Sequence, residues 1–186
     1  MPQILTCSNQ RDEGSIFQPL RVRWMWPKYQ AQVIDLVRML RTQNTPNEHE
    51  IQKVILTHLD LKGGIGVVAL MNDRVVGYML YQMKAPYVLL RDVGVVPHYQ
   101  HRGIGTRVIT KLKERLSAQG QYQYLVTTVP ESNLPLLHFL VNPNRGFRAQ
   151  GIVQDFYPSH HDAAIVMVHT HPGATLPFTA SLVTKP

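Results

Sequence analysis

Apolar and polar positions change their period several times along the chain, and each change marks an element. Leu20-Arg21-Val22-Arg23-Trp24-Met25-Trp26 alternates in character and is rich in β-formers, which predicts a strand closed by Pro27. Val33, Leu36, Val37 and Leu40 then recur at helical spacing within 29–41. After a break at 42–45, Thr45 as cap, Pro46 at the first position and Glu48 at the third predict a second helix. Ile51, Val54, Ile55, His58 and Leu59 line one side of it. Residues 65–71 and 75–83 predict a β-hairpin turning at Asn72-Asp73-Arg74, and 87–96 a further strand after Pro86. The stretch 103–118 places Ile104, Val108, Leu112 and Leu116 on one helical stripe, and Gly120 stops it. A near-continuous apolar run over 122–129 predicts a central strand. Ser132 or Asn133 caps a short helix over 134–141, with Pro135 in its first turn. Two last strands are expected at 147–156 and 163–170. The order β-α-α-β-β-β-α-β-α-β-β describes a mixed sheet with helices on its faces, in one domain over 20–170. Residues 1–19 read as a polar leader and 171–186 as a loose tail.

The junction of the strand at 87–96 with the helix at 103–118 carries the chemistry. There a polar turn leads into Gly103-Ile104-Gly105 at a helix start. The unpaired N–H groups and the positive end of the helix dipole make such a start a seat for an anion such as a diphosphate. Gly103 and Gly105 lack Cβ atoms, which is expected to let a ligand approach the backbone closely. No Gly-Lys-Ser/Thr follows, so the turn is not a Walker loop, and the element order does not fit a doubly wound nucleotide fold. A second glycine-rich stretch, 62–66, enters a strand rather than a helix and reads as a turn.

A net charge of +7 suits an acidic partner. The basic residues are dispersed, with no Lys/Arg block and no nucleic-acid motif, so a phosphate-rich cofactor is favoured over direct nucleic-acid binding. No apolar run reaches the ~20 residues of a membrane helix. The start of the chain lacks the pattern of a signal peptide, and the lone Cys7 can form no intrachain disulfide. A cytoplasmic location is therefore expected. His160, His161, His169 and His171 cluster in sequence but have no fixed ligand spacing, so no metal is expected.

The element order together with Gln100-His101-Arg102-Gly103-Ile104-Gly105 resembles the GNAT acyltransferase superfamily. Gln100, Gly103 and Gly105 fill its Gln/Arg-x-x-Gly-x-Gly/Ala signature. Val95-Val96-Pro97-His98-Tyr99 looks like its usual approach, and Asn133, thirteen residues before Gly146, resembles its second motif. The resemblance implies a GNAT fold of the α/β class (α+β type): a mostly antiparallel sheet of about seven strands with four helices. It also implies acetyl-CoA as co-substrate. Backbone groups of Val93, Gly94 and Val95 would pair with the pantetheine where two strands splay. Amides of Gln100, His101, Arg102, Gly103, Ile104, Gly105 and Thr106 would hold the diphosphate, and Asn133 would bind near the pantetheine or thiol end. Asp155 to Met167 is similar to the Tyr-Tyr-Pro hairpin and following strand of ribosomal-protein N-terminal alanine acetyltransferases.

The chain departs from that group where chemistry is done. Its glutamate base falls on Thr128 and its tyrosine acid on Leu140, and no tyrosine lies within 133–146. The loop 142–146 is two residues longer than the group's, which bears on the acceptor site. The remaining candidates for acid–base work are Asp92, Glu131, His138 and Tyr157. Each has a structural alternative: a strand-end ion pair for Asp92, a place in the next helix's first turn for Glu131, a partly buried histidine for His138, hairpin packing for Tyr157. The expected activity is acetyl transfer to a primary amine, first a protein N-terminal α-amine. A small amine acceptor and a non-catalytic acetyl-CoA-binding module are the alternatives. A monomer and a homodimer are both compatible with the sequence.

Overall fold

The structure, a computed structural model, describes residues 19–42, 64–157 and 162–174. One seven-stranded sheet contains β1 (Arg21–Trp24), β2 (Gly64–Met71), β3 (Arg74–Lys84), β4 (Tyr87–Val95), β5 (Tyr124–Pro130), β6 (Arg148–Tyr157) and β7 (Asp162–Thr170). Their order across the sheet is β1-β2-β3-β4-β5-β7-β6. The described helices are α1 (Gln30–Thr42), α2 (Ile104–Ala118) and α3 (Leu134–Val141). The helix expected over 46–59 lies outside the described residues, as do Cys7, His160 and His161. The tail expected from 171 begins with a turn instead: His171 N–H bonds Gln123 C=O, and Ala174 N–H bonds His171 C=O.

Local rules account for the connections. Asn72 and Asp73 both take positive φ, 52° and 60°, as a two-residue turn between twisted antiparallel strands requires. β4 and β5 are the parallel pair. A parallel connection needs a long crossover, and α2 is that crossover.

The period-2 pattern of the strands sends two cores to opposite faces. On one face the α2 stripe Ile104, Val108, Ile109, Leu112 and Leu116 packs on Val67, Met79, Tyr81, Leu90 and Leu125. On the other, α1 packs Val33, Leu36 and Val37 on Val68, Leu70, Tyr78 and Leu80. Tyr87, Leu89, Tyr124, Val126, Val166 and Val168 continue this second face.

One irregularity opens the sheet. Tyr81 pairs with Leu90 but Leu80 pairs with Asp92, so Arg91 is an extra residue, a β-bulge. Pairing of β4 with β5 ends at Leu90 and Thr127. Beyond the bulge the two strands part.

The α2 stripe carries much of the stability. Leu112 is fully buried between α2 and the sheet. Leu112→Ala is expected to cost about 2–5 kcal/mol of unfolding free energy, read from the shift of a urea denaturation curve.

Candidate active site

Past the bulge, the antiparallel ladder with β3 fixes which backbone groups face the opening. Val96 N–H bonds Val76 C=O at 2.9 Å. By alternation Gly94 and Asp92 pair with β3, while Val93 and Val95 turn their backbone groups toward the gap. This is the edge along which a pantetheine amide can add as a pseudo-strand. Two side chains already reach it: Asp92 Oδ1 accepts from Val93 N–H at 3.0 Å, and Gln100 Nε2 donates to Val95 C=O at 3.0 Å.

A short 3-10 turn, Pro97–Tyr99, leads from this edge to α2. His101 and Gly103 have positive φ, 59° and 77°. The first bond within α2 runs from Arg107 N–H to Gly103 C=O at 3.0 Å. The N–H groups of Ile104, Gly105 and Thr106 thus have no acceptor inside the helix. A Cβ on Gly103 would meet nothing within 4 Å, so the approach to these amides is open. Amides at a helix N-terminus beside open space fit a diphosphate.

Two expectations for this turn need correction. The Gln100 N–H is spent on Pro97 C=O at 3.1 Å, and its side chain ties the turn to Val95, so Gln100 braces the seat rather than lending it an amide. Gly105 does not clear space for a ligand. A Cβ there would lie 2.9 Å from the Phe139 ring, so the missing side chain makes room for α3.

The expected acid–base candidates fall in different places. Asp92 and Thr128 both lie on the α1 face, at the two lips of the opening. Asp92 is held from the neighbouring strand: the buried Tyr78 donates its hydroxyl to Asp92 Oδ2 at 2.9 Å. Tyr157 reaches across from β6 and places its hydroxyl 3.2 Å from Thr128 C=O and 3.3 Å from Thr128 Oγ1. The position on which the resemblance places a glutamate base is thus filled by a hydroxyl pair. Glu131 precedes α3 rather than entering its first turn, and its carboxylate accepts from Ala163 N–H at 3.3 Å at the start of β7. His138 is exposed on α3 and is not brought to the lips. Asn133 caps α3 by accepting from Leu136 N–H at 3.2 Å. Leu140 is buried in the α2-face core, which is why no acid stands there.

Three residues of the site escape a reading of the sequence: Tyr78, Phe139 and Arg145. Tyr78 looks like any alternating strand residue and matters only through its cross-strand reach to Asp92. Arg145, in the lengthened 142–146 loop, donates from Nη2 to Thr106 Oγ1 at 2.8 Å, and the loop length is the one hint the sequence offers. The loop is held at its far end too, where His169 Nδ1 meets Gly146 C=O at 3.2 Å and its ring packs on Phe147. Among the described residues no three His, Cys, Asp or Glu side chains come together as a metal site.

A sheet parted between two parallel strands, with an amide-lined helix start behind one lip, fits an extended ligand that carries a diphosphate. Residues 31–147, more than half of the chain, match the model of the acetyltransferase (GNAT) family, and the protein belongs to that family. It is an acetyltransferase. No curated protein sequence matches the chain. Its fold is that of the ribosomal-protein-S18-alanine N-acetyltransferase of Escherichia coli, at TM-score 0.68 and 18% identity, covering 86% of this chain and 100% of that one. Arabidopsis thaliana NAA60, solved with a bisubstrate analogue, superposes at TM-score 0.68 and 15% identity, over 84% of this chain and 100% of that one. A GNAT family acetyltransferase of Elizabethkingia anophelis with acetyl-CoA bound does so at 0.63 and 15%, over 82% and 98%.

Two outcomes test this architecture. Gly105→Ala is expected to lose about 1–3 kcal/mol by overpacking, and Phe139→Ala in the same chain to recover part of that loss, as a double-mutant denaturation cycle would read. Burial, then the charge of Lys113, lowers the His169 pKa. The neutral ring's contribution to stability is therefore complete above about pH 6.5 and is lost as pH falls below it. His169→Gln should flatten that part of a melting-temperature profile against pH.

Proposed function

We propose that the protein transfers the acetyl group to a primary amine, in the first place the α-amine of a protein N-terminus, in the cytoplasm. The observation that carries this reading is the uncharged Tyr157–Thr128 pair where related enzymes hold a glutamate. A site in which Asp92, on the opposite lip, must stand in for that glutamate favours an amine that loses its proton readily. An α-amine of pKa ~8 is about 10% neutral at pH 7, whereas a lysine of pKa ~10.4 is about 0.04% neutral. The Tyr157 hydroxyl also borders the place where a peptide backbone would lie, on the α1 face. The E. coli enzyme of the same fold is, by its name, an N-acetyltransferase of a protein's alanine.

The chemistry divides between the two lips. Val93 and Val95 present the β4 edge to the thioester, and the Val95 N–H polarises its carbonyl oxygen. Asp92, fixed by Tyr78, receives the proton of the attacking amine. The amine nitrogen bonds the acyl carbon, the carbon–sulfur bond breaks, and the electron pair leaves on sulfur. A CoA thiol of pKa ~8.5 leaves without strong acid assistance, which suits a helix carrying Leu140 in place of a tyrosine.

Thiol release from acetyl-CoA, followed over peptides with free N-termini, N-blocked lysine peptides and small amines, tests the acceptor. Acetylation of the free N-termini is expected. Activity confined to lysine peptides or small amines would sink this reading. Asp92→Asn should lower kcat by roughly 100-fold with the best acceptor; an unchanged kcat would remove Asp92 from the proton path.

A further inference from the structure

The guanidinium of Arg145 sits where a cation is least comfortable. Its Nη2 donates to Thr106 Oγ1 at 2.8 Å, in the first turn of α2. The positive end of the helix dipole and the unpaired amides of 104–106 lie beside it. A cation at a helix N-terminus is repelled, and no carboxylate pairs with Arg145 among the described residues to neutralise it. Its Nε–H is buried and meets no acceptor there. A half-buried charge with an orphaned donor costs stability unless it serves something else.

The surroundings hold it in place nonetheless. The guanidinium stacks 4.0 Å from the Phe139 ring centroid, and Lys113 Nζ donates to the Arg145 carbonyl. Phe139 is itself seated in the space left by Gly105. Arg145 N–H and Gly146 N–H both bond Asn142 C=O, which closes the loop tightly. Several independent contacts thus keep a repelled cation against the anion seat.

We propose that Arg145 is a positioning residue for the donor's diphosphate. By occupying a lone pair of Thr106 Oγ1, it turns the Thr106 O–H outward as a donor to a phosphate oxygen. Its charge adds to the field of the helix start, and the diphosphate's two negative charges offset both. The lengthened 142–146 loop is then a part of the cofactor site built from outside the glycine turn. The inference rests on the acetyl-CoA donor alone and needs nothing of the acceptor.

Calorimetric titration of the whole protein, with no amine present, tests it apart from the acceptor reading. Three ligands are used: CoA, dephospho-CoA, which keeps the diphosphate, and pantetheine, which lacks it. Arg145→Gln is expected to weaken CoA and dephospho-CoA alike by about tenfold and to leave pantetheine within about twofold. Thr106→Val should show the same selective loss, and the double variant little more than either alone, because one residue acts through the other. Equal loss for pantetheine would make Arg145 a structural brace and overturn the proposal. Loss for CoA without loss for dephospho-CoA would overturn it too, by moving the contact to the 3′-phosphate. Should Arg145→Gln fail to fold, Thr106→Val alone decides: undiminished dephospho-CoA binding refutes the role.

Discussion

Everything functional here depends on β4 and β5 ceasing to pair. Two parallel strands in the middle of a sheet normally satisfy each other's backbone groups along their whole length, and leaving them open inside a protein is costly. The extra residue at Arg91 coincides with the parting: it shifts β4 out of step with β3 just where the pairing with β5 ends. The cost is limited by Asp92 and Gln100, whose side chains take up groups of Val93 and Val95. The opening is therefore a built edge of defined polarity, with one lip of main-chain groups and one of hydroxyls.

The two faces of the sheet divide the labour. The helix start, α3 and the 142–146 loop belong with the α2 core and form the donor side. Asp92, Tyr78, Thr128 and Tyr157 belong with the α1 face, the side we propose for the acceptor. In the mechanism we propose, the acyl carbon meets the amine in the gap between them. Phe139 against Gly105 locks α3 to the anion seat, so the donor side behaves as one packed unit.

Much of this was legible in the sequence. The hydrophobic periods placed the seven strands and the three described helices within a residue or two, because these elements have one strongly apolar stripe or face. The glycine turn was legible because a diphosphate seat needs consecutive amides at a helix start, and such a turn leaves a local signature. Other features carry no local signature. Arg91 sits in an apolar strand and looks like an ordinary outward-facing residue, since a bulge is a relation between two strands. The role of Gly105 depends on a ring 34 residues away. The pairing of Tyr78 with Asp92, and of Arg145 with Thr106, likewise joins distant positions through the register of the sheet and the packing of helices.

The bulge also sets the chirality of traffic through the protein. A strand alternates its side chains, so one residue more or less exchanges its two faces. With Arg91 present, Asp92 and Gly94 look toward α1 while Val93 and Val95 look toward α2. Were Arg91 paired in regular step with Leu80 instead, Asp92 would fall opposite Met79, turning the carboxylate toward α2 and Val93 toward α1. Which residues face each side of the opening is thus set by whether one residue of β4 is paired or bulged.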